Sequence, residues 1–308
     1  MESDRLYRNL GNFNFEDVTK SSGIVAENWS TGIAVVDINN DGYDDVYVCK
    51  FMYDDEKRRH NKLYINQKNG QFKDMAKAYG IDDTGHSIMA NFFDYDRDGD
   101  LDLYVANQPP NSLQQKGILK GRVDYKYTDK LYRNDGNRFT NVTIASGIKN
   151  SCYSLSATTI DFNKDGWPDL YVAADYYEAD LFYKNNGNGT FTNVANTSLK
   201  HISNFSMGAD VADVNNDGQL DIFVADMVAE DNFRQKTNMS GMDTEQFYAI
   251  TQSGHHYQYM FNTLQLNNGD NSFSEIAQLS GISNTDWSWS PLFIDCLLYT
   301  SPIPRDRG

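Results

Sequence analysis

The sequence predicts an all-β fold built from four-stranded sheets, the blades of a β-propeller, with an acidic loop between the first two strands of each blade. Three observations lead to this prediction. A nine-residue acidic loop occurs four times, a hairpin pattern occurs five times, and the spacing from hairpin to the next loop hardly varies. Tandem units that hold four short strands are typical of propeller blades.

The acidic loops read D-x-[DN]-x-D-G-x-x-D and begin at Asp37, Asp94, Asp161 and Asp213. Oxygen-bearing side chains stand at positions 1, 3, 5 and 9, and the glycine at position 6 permits a sharp turn. A hard cation such as Ca²⁺ requires about six to eight oxygen ligands. We therefore interpret the four copies as calcium loops. The alternative is that they are solvated turns, in which Asp, Asn and Gly are also common.

The EF-hand has a similar spacing but requires flanking helices and a glutamate at position 12. Position 12 is valine in every copy: Val48, Val105, Val172 and Val224. The segments beside the first loop, Ala34–Val36 and Val46–Val48, are short and rich in β-branched residues, which favour strands. Each loop is therefore predicted to join two strands.

The hairpin pattern begins with Leu and then Tyr or Phe, at Leu6, Leu63, Leu131 and Leu181, and more loosely at Leu264. A turn rich in Asn, Asp and Gly follows, and the second strand begins at Phe15, Phe72, Phe139, Phe191 or Phe273. From each Leu to the first Asp of the next loop the spacing is 31, 31, 30, 32 and 31 residues, if Asp295 is taken as a fifth start. These units are predicted to be the third and fourth strands of each blade.

The length variation lies in one connection. From position 9 of each loop to the next Leu the gap is 18, 29, 12 and 43 residues. In an up-and-down blade these connections lie on the face opposite the acidic loops. The longest insertion, 226–261, contains a predicted helix near Asp243–Ile250, because Thr and Asp residues cap helix starts. We interpret His255 and His256, just beyond it, as a surface pair.

The repeat stops at Asp295, where a fifth acidic loop is expected. Residues 296–308 instead resemble one reading frame of a sequencing adapter, and we interpret them as a non-native sequencing or cloning scar. The predicted domain is residues 5–295, a fragment of a propeller with seven or eight blades.

The net charge of -16 disfavours nucleic acid and anionic membranes as partners, because both attract basic surfaces. The oxygen-bearing side chains at positions 1, 3, 5 and 9 of the four loops include thirteen carboxylates, so four divalent ions would bring the formal charge to about -8. No apolar run approaches the length that spans a bilayer, so direct membrane insertion is not expected. The three cysteines show no metal-binding or redox spacing.

Together, the loop and the hairpin resemble the FG-GAP or VCBS repeat propellers. Some segments resemble more closely the bacterial group that carries ASPIC/UnbV domains and is related to cartilage acidic protein: Thr31–Val48, Phe205–Met227, Asn232–Met239 and Trp287–Pro291. The resemblance covers residues 5–295. These propellers are similar to the integrin α-subunit head, in which calcium loops lie on one face of the disc and ligands bind at the other.

The resemblance implies about four structural calcium ions, each held by four side chains and the carbonyl of position 7. The ligand sets would be Asp37, Asn39, Asp41, Tyr43 and Asp45; Asp94, Asp96, Asp98, Asp100 and Asp102; Asp161, Asn163, Asp165, Trp167 and Asp169; and Asp213, Asn215, Asp217, Gln219 and Asp221. Extracellular sites of this type bind calcium with dissociation constants of about 0.1 to 1 mM. An extracellular, cell-surface or periplasmic location is therefore expected.

The function expected first is a binding or adhesion module whose protein or glycan ligand docks opposite the calcium loops. Aromatic side chains in the variable connections supply contact area and stack on sugars. The candidates are Tyr53, Tyr127, Tyr176, Tyr177 and Tyr257. For each of them, packing within its own blade is the alternative.

Catalysis is not expected. The alternative is an enzyme that resembles the propeller polysaccharide lyases and acts on uronic-acid glycans, which would need a base beside a neutralising cation. The sequence offers only scattered candidates for these roles: His86, His201, Arg234 and Lys236.

Overall fold

The computed structural model describes residues 4–25, 29–51, 55–110, 126–136, 138–176, 178–238, 244–252 and 254–294. The chain is predominantly β-structure. A first hairpin pairs β1 (Tyr7–Gly11) with β2 (Asn14–Asp17), and four larger antiparallel sheets follow it. All four acidic loops lie within the described residues, whereas Tyr53, Tyr177, Asp295 and residues 296–308 lie outside them.

The four sheets repeat one plan, in which four strands pair in chain order. Sheet 1 contains β3 (Trp29–Val36), β4 (Asp45–Phe51), β5 (Lys62–Asn66) and β6 (Phe72–Asp74). Sheet 2 contains β7 (His86–Phe93), β8 (Asp102–Gln108), β9 (Lys130–Asn134) and β10 (Phe139–Asn141). Sheet 3 contains β11 (Tyr153–Ile160), β12 (Asp169–Asp175), β13 (Leu181–Asn185) and β14 (Phe191–Asn193).

Sheet 4 is interrupted by the longest insertion. It contains β16 (Ser206–Ala212), β17 (Asp221–Val228), β19 (Thr263–Asn267) and β20 (Phe273–Glu275), and β21 (Asp286–Trp287) pairs with the end of β17. Two short strands, β15 (Ile202–Ser203) and β18 (Gln258–Tyr259), pair in parallel beside it. The predicted strand–loop–strand arrangement is confirmed for all four acidic loops, because each one joins the first two strands of its sheet.

The pairing of β13 corrects one alignment made from the sequence. Tyr171 pairs with Phe182, as Tyr47 pairs with Leu63 in sheet 1. Phe182, rather than Leu181, is therefore the counterpart of Leu63. The corrected spacing from this hairpin to its next loop is 31 residues, in line with the other sheets. Leu181 lies one residue earlier on the same strand and pairs with Val172.

Apolar side chains fill the space between consecutive sheets. Three buried clusters join sheet 1 to sheet 2, sheet 2 to sheet 3, and sheet 3 to sheet 4. The first strand of each sheet packs on the first strand of the next, so β3, β7, β11 and β16 form a row. Each of these strands has a bulge near its start, where its pairing with the second strand shifts. Burial of apolar surface between sheets supplies most of the expected stability.

Short helices occupy the connections. Thr19–Ser22, Ala76–Tyr79 and Ala195–Ser198 follow the last strands of their hairpins, and Glu56–Arg58 forms a 3-10 turn. The predicted helix of the long insertion is confirmed as Thr244–Gln252, and a second helix, Asn232–Asn238, precedes it. The interpretation of His256 as a surface residue is wrong: it is 6% exposed, and burial lowers its pKa. Within the described ranges, no helix is long and apolar enough to cross a bilayer.

Candidate metal loops and the opposite face

The acidic loops share one set of hydrogen bonds. The position-1 carboxylate accepts the backbone N–H groups of positions 5 and 6; in the first loop Asp37 accepts from Asp41 at 3.0 Å and from Gly42 at 2.7 Å. The same pair of bonds occurs at Asp94, Asp161 and Asp213. The position-6 glycines have φ between 82° and 94°, a left-handed conformation that glycine adopts without strain. The repeated residues therefore form four loops of similar conformation.

The position-9 aspartates are fully buried and connect each loop to the third strand. One oxygen of Asp102 accepts the backbone N–H of Tyr95, at position 2, at 3.0 Å. The other accepts the N–H of Asn134 on β9 at 2.8 Å. The same two bonds occur at Asp45, Asp169 and Asp221, and all four aspartates are 0% exposed.

Burial and crowding raise the pKa of several loop carboxyls. Desolvation raises the pKa of Asp102 and of Asp169 to about 7, although two backbone N–H groups favour the ionised form of each. The pKa values of Asp45 and Asp221 are raised for the same reason. The pKa of Asp96 is raised by desolvation and then by the charge of Asp98. These carboxylates are costly to ionise together without a counter-charge.

The second loop has the donor set that best fits a cation. One carboxylate oxygen from each of Asp94, Asp96 and Asp102 lies within 4.8 Å of the others. Asp96 Oδ1 is buried and has no hydrogen-bond partner among the described residues. Asp98 lies outside this group, and the described parts of the other three loops form no comparable cluster of three acidic side chains. Oxygen-only donors with one unpartnered carboxylate oxygen fit a hard cation such as Ca²⁺.

The other predicted side-chain ligands accept backbone hydrogen bonds within their own loops. Asn39, Asn163 and Asn215 each accept the N–H of position 5. Asp41, Asp98, Asp165 and Asp217 each accept the N–H of position 7. The carbonyls of Tyr43, Asp100, Trp167 and Gln219 remain predicted ligands.

The asparagine that ends each third strand makes contacts that its sequence pattern had not predicted. Asn185 donates from Nδ2 to the Pro168 carbonyl at 3.1 Å and to the Tyr95 carbonyl of the preceding sheet's loop at 2.8 Å. Asn267 makes the corresponding bonds to Leu220 and Phe162. These asparagines join the loops of consecutive sheets. The recurrent Asn66, Asn134, Asn185 and Asn267 were a visible signal of this role.

A second ladder of buried polar groups lies at the other end of the sheets. Asp129 Oδ2 accepts the hydroxyl of Tyr104 at 2.6 Å and that of Ser154, from the next sheet, at 2.7 Å. Asp180 accepts from Tyr171 at 2.6 Å and from Ser206 at 2.8 Å in the same way. The corresponding residues of sheets 1 and 4 are Asn61 and Asn262. These residues had no assigned role, although each one comes two residues before Leu63 or its counterpart in the third strand, Leu131, Phe182 or Leu264.

The described candidate tyrosines differ in accessibility. Tyr176 is 43% exposed, with its ring 5.4 Å from that of Tyr153. Tyr257 is 53% exposed and lies 6.2 Å from the ring of Phe247. Tyr127 is half-buried beside His86. All three lie in connections at the end of the sheets opposite the acidic loops.

The candidate residues for lyase chemistry are not grouped. His86 belongs to sheet 2 and packs against Phe51 and Tyr127. His201 Nε2 lies 3.2 Å from Glu275 Oε2 in sheet 4. Arg234 bonds Asp231 and Asp286, and Lys236 lies on the same exposed helix. The described geometry brings no pair of these four groups together around a common acidic loop.

Comparison with known proteins identifies the repeat. A family model described as the FG-GAP-like repeat matches residues 2–48, 51–105 and 161–224, more than half of the chain. No curated protein matches the chain. One similar solved structure is described as that of an Agrocybe aegerita lectin that specifically recognises non-reducing terminal N-acetylglucosamine.

That similarity has 15% sequence identity and a TM-score of 0.38, and covers 88% of this chain. The chain spans 58% of the length of the lectin structure. A TM-score this low supports no inference about ligand or fold. The family match, in contrast, covers all four acidic loops and three of the five hairpins described above, and the chain belongs to the FG-GAP-like repeat family.

Proposed function

We propose that this chain is part of a calcium-stabilised β-propeller that acts outside the cell as a binding module. One observation carries the proposal: four consecutively packed sheets present the same hydrogen-bonded acidic loop at one end, and all long connections at the other. A constant end suits a structural role. A variable end suits ligand recognition, because loops on a rigid scaffold accept sequence change without loss of the fold.

A radial arrangement of the sheets is supported by the row formed by their first strands. In a propeller, the first strands of the blades line the axis. The repeated bulges and the clusters between sheets are consistent with blades that pack face to face. The proposed parent molecule has seven or eight blades.

The proposed calcium ions would bind the oxygen donors of the four loops. A bound divalent ion supplies positive charge that offsets carboxylate repulsion and cross-links the loop between the first two strands. The second loop is proposed as the tightest site because Asp94, Asp96 and Asp102 already converge there.

Calcium removal tests this part of the proposal. We expect a chelator to lower the melting temperature, and millimolar calcium to restore it. With dissociation constants of about 0.1 to 1 mM, about 10 mM calcium contributes about 1–3 kcal/mol per site. The measurement is thermal unfolding in chelator, with and without excess calcium. Identical melting curves in the two conditions would contradict the calcium assignment.

An extracellular, cell-surface or periplasmic location is proposed because calcium reaches millimolar concentrations there, as sites of this affinity require. Binding is proposed rather than catalysis. Two of the four candidate catalytic residues are already paired with carboxylates. His201 contacts Glu275, and Arg234 contacts Asp286. Formation of unsaturated products from a uronic-acid glycan by this protein would overturn that choice.

The ligand is proposed to be a protein or glycan that docks on the variable end, with Tyr127, Tyr176 and Tyr257 as described candidates and Tyr53 and Tyr177 as sequence-based ones. A glycan array and a pull-down with the calcium-loaded protein would identify it. We expect Tyr257→Ala, or Tyr176→Asn, to reduce capture. Asparagine is chosen at position 176 because φ there is +67°. The control is Tyr7→Ala, an exposed tyrosine of the first hairpin.

A further inference from the structure

A cleft of about 300 Å³ concentrates positive charge in an acidic protein. Four cationic side chains and one histidine line it: Lys57, Arg58, Lys62, Lys77 and His60. Two carboxylates, Asp74 and Asp82, also line it. The four cations outnumber the two carboxylates, whereas the chain as a whole has a net charge of -16.

The two carboxylates pair with two of the basic side chains that line the cleft. Asp74 Oδ2 lies 2.9 Å from Lys62 Nζ, and Asp82 Oδ2 lies 3.4 Å from His60 Nδ1. Within the part of the chain that the structure describes, the ammonium groups of Lys57 and Lys77 make no hydrogen bond or ion pair. These two lysines are therefore available to an incoming anion.

The cleft lies at the variable end of the sheets. Lys57 belongs to the 3-10 turn between β4 and β5, and Lys77 to the short helix between β6 and β7. Both segments are anchored: the Asp55 side chain accepts the Lys57 backbone N–H at 3.0 Å, and Ala76 is only 2% exposed. The backbone that carries these lysines is thus held in place opposite the acidic loops.

A second cavity of about 210 Å³ adjoins the cleft and shares Asp82 with it. Its walls include Arg59, Lys126, Lys130 and Tyr127. Lys126 Nζ lies 5.5 Å from the centre of the Tyr127 ring and 2.6 Å from Glu56 Oε1. Asp82 and Asp83 also line this cavity, and Arg59 is only 3% exposed. Lys126 and Lys130 therefore extend the cationic lining onto sheet 2, beside the ring of Tyr127.

The chemistry of the lining favours a charged, hydroxyl-rich ligand. Only one apolar residue, Ala76, lines the larger cleft. Tight protein interfaces are centred on buried aromatic or other large anchors, and this cleft offers no pocket for one. Ammonium and guanidinium groups instead bind carboxylate and sulfate oxygens, and a neighbouring tyrosine can stack on a sugar ring.

We propose that this basic cleft binds the carboxylate or sulfate groups of an acidic glycan. The inference rests on the proposed binding function and specifies where, and to what class of ligand, the variable end binds. Screening by salt weakens attraction between exposed charges, so binding should weaken as ionic strength rises.

The test uses the full chain at one fixed free calcium concentration, because polyanions also bind calcium. Fluorescence anisotropy would compare labelled oligogalacturonate, dextran sulfate and neutral dextran, with polyglutamate as an acidic peptide. We expect binding of oligogalacturonate or dextran sulfate, and no binding of neutral dextran. A preference for one of the first two would identify carboxylate or sulfate as the recognised group. Equal or tighter binding of polyglutamate would overturn the choice of a glycan.

The double variant Lys57→Gln/Lys77→Gln should weaken glycan binding by about tenfold or more, because a hydrogen bond to a charged group contributes about that factor. The control Lys20→Gln/Lys73→Gln changes the net charge equally at exposed lysines outside the cleft. An equal loss in both double variants would show a general charge effect and overturn the inference.

The outcomes also separate this inference from the proposed function. If a glycan or protein is captured and Tyr176→Asn reduces its binding while the cleft variant does not, the cleft assignment fails and the binding module stands. If neither acidic glycans nor any other glycan or protein is captured, both fail.

Discussion

The position-9 aspartate joins its loop to the third strand in all four copies, and in the second loop it also belongs to the acidic group. Asp102 is fully buried, its two oxygens accept backbone N–H groups from position 2 and from the third strand, and it belongs to the acidic group of the second loop. An amide at this position would place an N–H₂ group against a backbone N–H. The loop would then lose a hydrogen bond and part of its attraction for a cation.

We expect Asp102→Asn to lower the free energy of unfolding by about 1–3 kcal/mol in chelator, the usual cost of an unsatisfied buried group. In calcium the loss should be larger. The matched control is Asp100→Asn in the same loop, the same substitution at a side chain that is not a predicted ligand. Denaturant unfolding of both variants with and without calcium provides the measurement. Equal losses in the two variants would contradict the role of position 9.

Asp180 gives the protein a pH dependence at the opposite end of the sheets. Burial raises its pKa from 3.8 to about 7, although Tyr171 and Ser206 donate hydrogen bonds to it. Between about pH 4 and pH 7 the folded state therefore binds this proton more strongly than the unfolded state does. The contribution of Asp180 to stability is present below the unfolded pKa and falls as the pH rises through this window.

Asparagine should be tolerated at position 180, because Asn61 and Asn262 occupy the same place in sheets 1 and 4. We expect Asp180→Asn to gain stability relative to the wild type as the pH rises from 4.5 to 7.5, measured by denaturant unfolding in saturating calcium. The control is Asp135→Asn, an exposed residue whose pKa is lowered by hydrogen bonds from Arg133 and Thr140, and whose effect on the slope should be small and of opposite sign. Parallel pH profiles for wild type and Asp180→Asn would contradict the assignment.

At the scale of the strand, close approach between consecutive first strands depends on a small residue. A Cβ atom added to Gly32 on β3 would overlap the Ile88 carbonyl oxygen of β7 and come within 2.9 Å of Met89 Cα. Both neighbours are backbone atoms, which cannot move aside as a flexible side chain can. The packing of sheet 1 on sheet 2 therefore requires glycine at this position.

Gly32→Ala is expected to lower the free energy of unfolding by about 1–3 kcal/mol, because overpacking forces backbone shifts. Val35→Ala on the same strand is the comparison: Val35 is 63% exposed, so its change should stay within about 0.5 kcal/mol. Chemical denaturation of the two variants measures both free energies of unfolding. A neutral Gly32→Ala would mean that the two strands do not approach as closely as the structure shows.

The elements that could be predicted from sequence are those with local chemical signals. The acidic loops, the Gly-containing turns and the strand starts at Phe72, Phe139, Phe191 and Phe273 depend on residues close together in the chain, and the structure confirms them as strand–loop–strand units. The convergence of Asp94, Asp96 and Asp102 extends that prediction to one site. Binding of calcium to any of the four remains a prediction.

Other features depend on contacts between sheets and had no such signal. The Asp129–Ser154 bond joins residues 25 positions apart, and the Asn185–Tyr95 bond joins residues 90 apart. The basic cleft is formed by the connection between β4 and β5 and the connection between β6 and β7. Neither connection has a sequence pattern that indicates a binding site. The sequence pattern placed Leu181 opposite Leu63, although Phe182 is the true counterpart. Both residues are apolar, so either one fits the pattern. Burial of His256 depends on the long insertion packing beside the helix Ala195–Ser198 and pairing with β15, contacts that no local pattern shows.

For the whole molecule, the separation of charge between the two ends of the sheets has a consequence for stability. The four loops contribute fifteen carboxylates at one end, thirteen of them at the predicted ligand positions, and without a cation these groups repel one another. Dissolved salt screens such repulsion over a distance that falls from about 30 Å at 0.01 M to about 8 Å at 0.15 M ionic strength. Stability without calcium should therefore respond strongly to salt.

We expect the melting temperature in chelator to rise when NaCl is increased from about 0.01 to 0.15 M. In saturating calcium the rise should be much smaller, because bound ions already offset the repulsion. Differential scanning fluorimetry at matched pH measures both series. Calcium is proposed to act only at the acidic loops. Effects of NaCl elsewhere in the protein are therefore the same in both series and cancel in the comparison. An equal salt response with and without calcium would mean that the loop carboxylates are not the groups that limit stability.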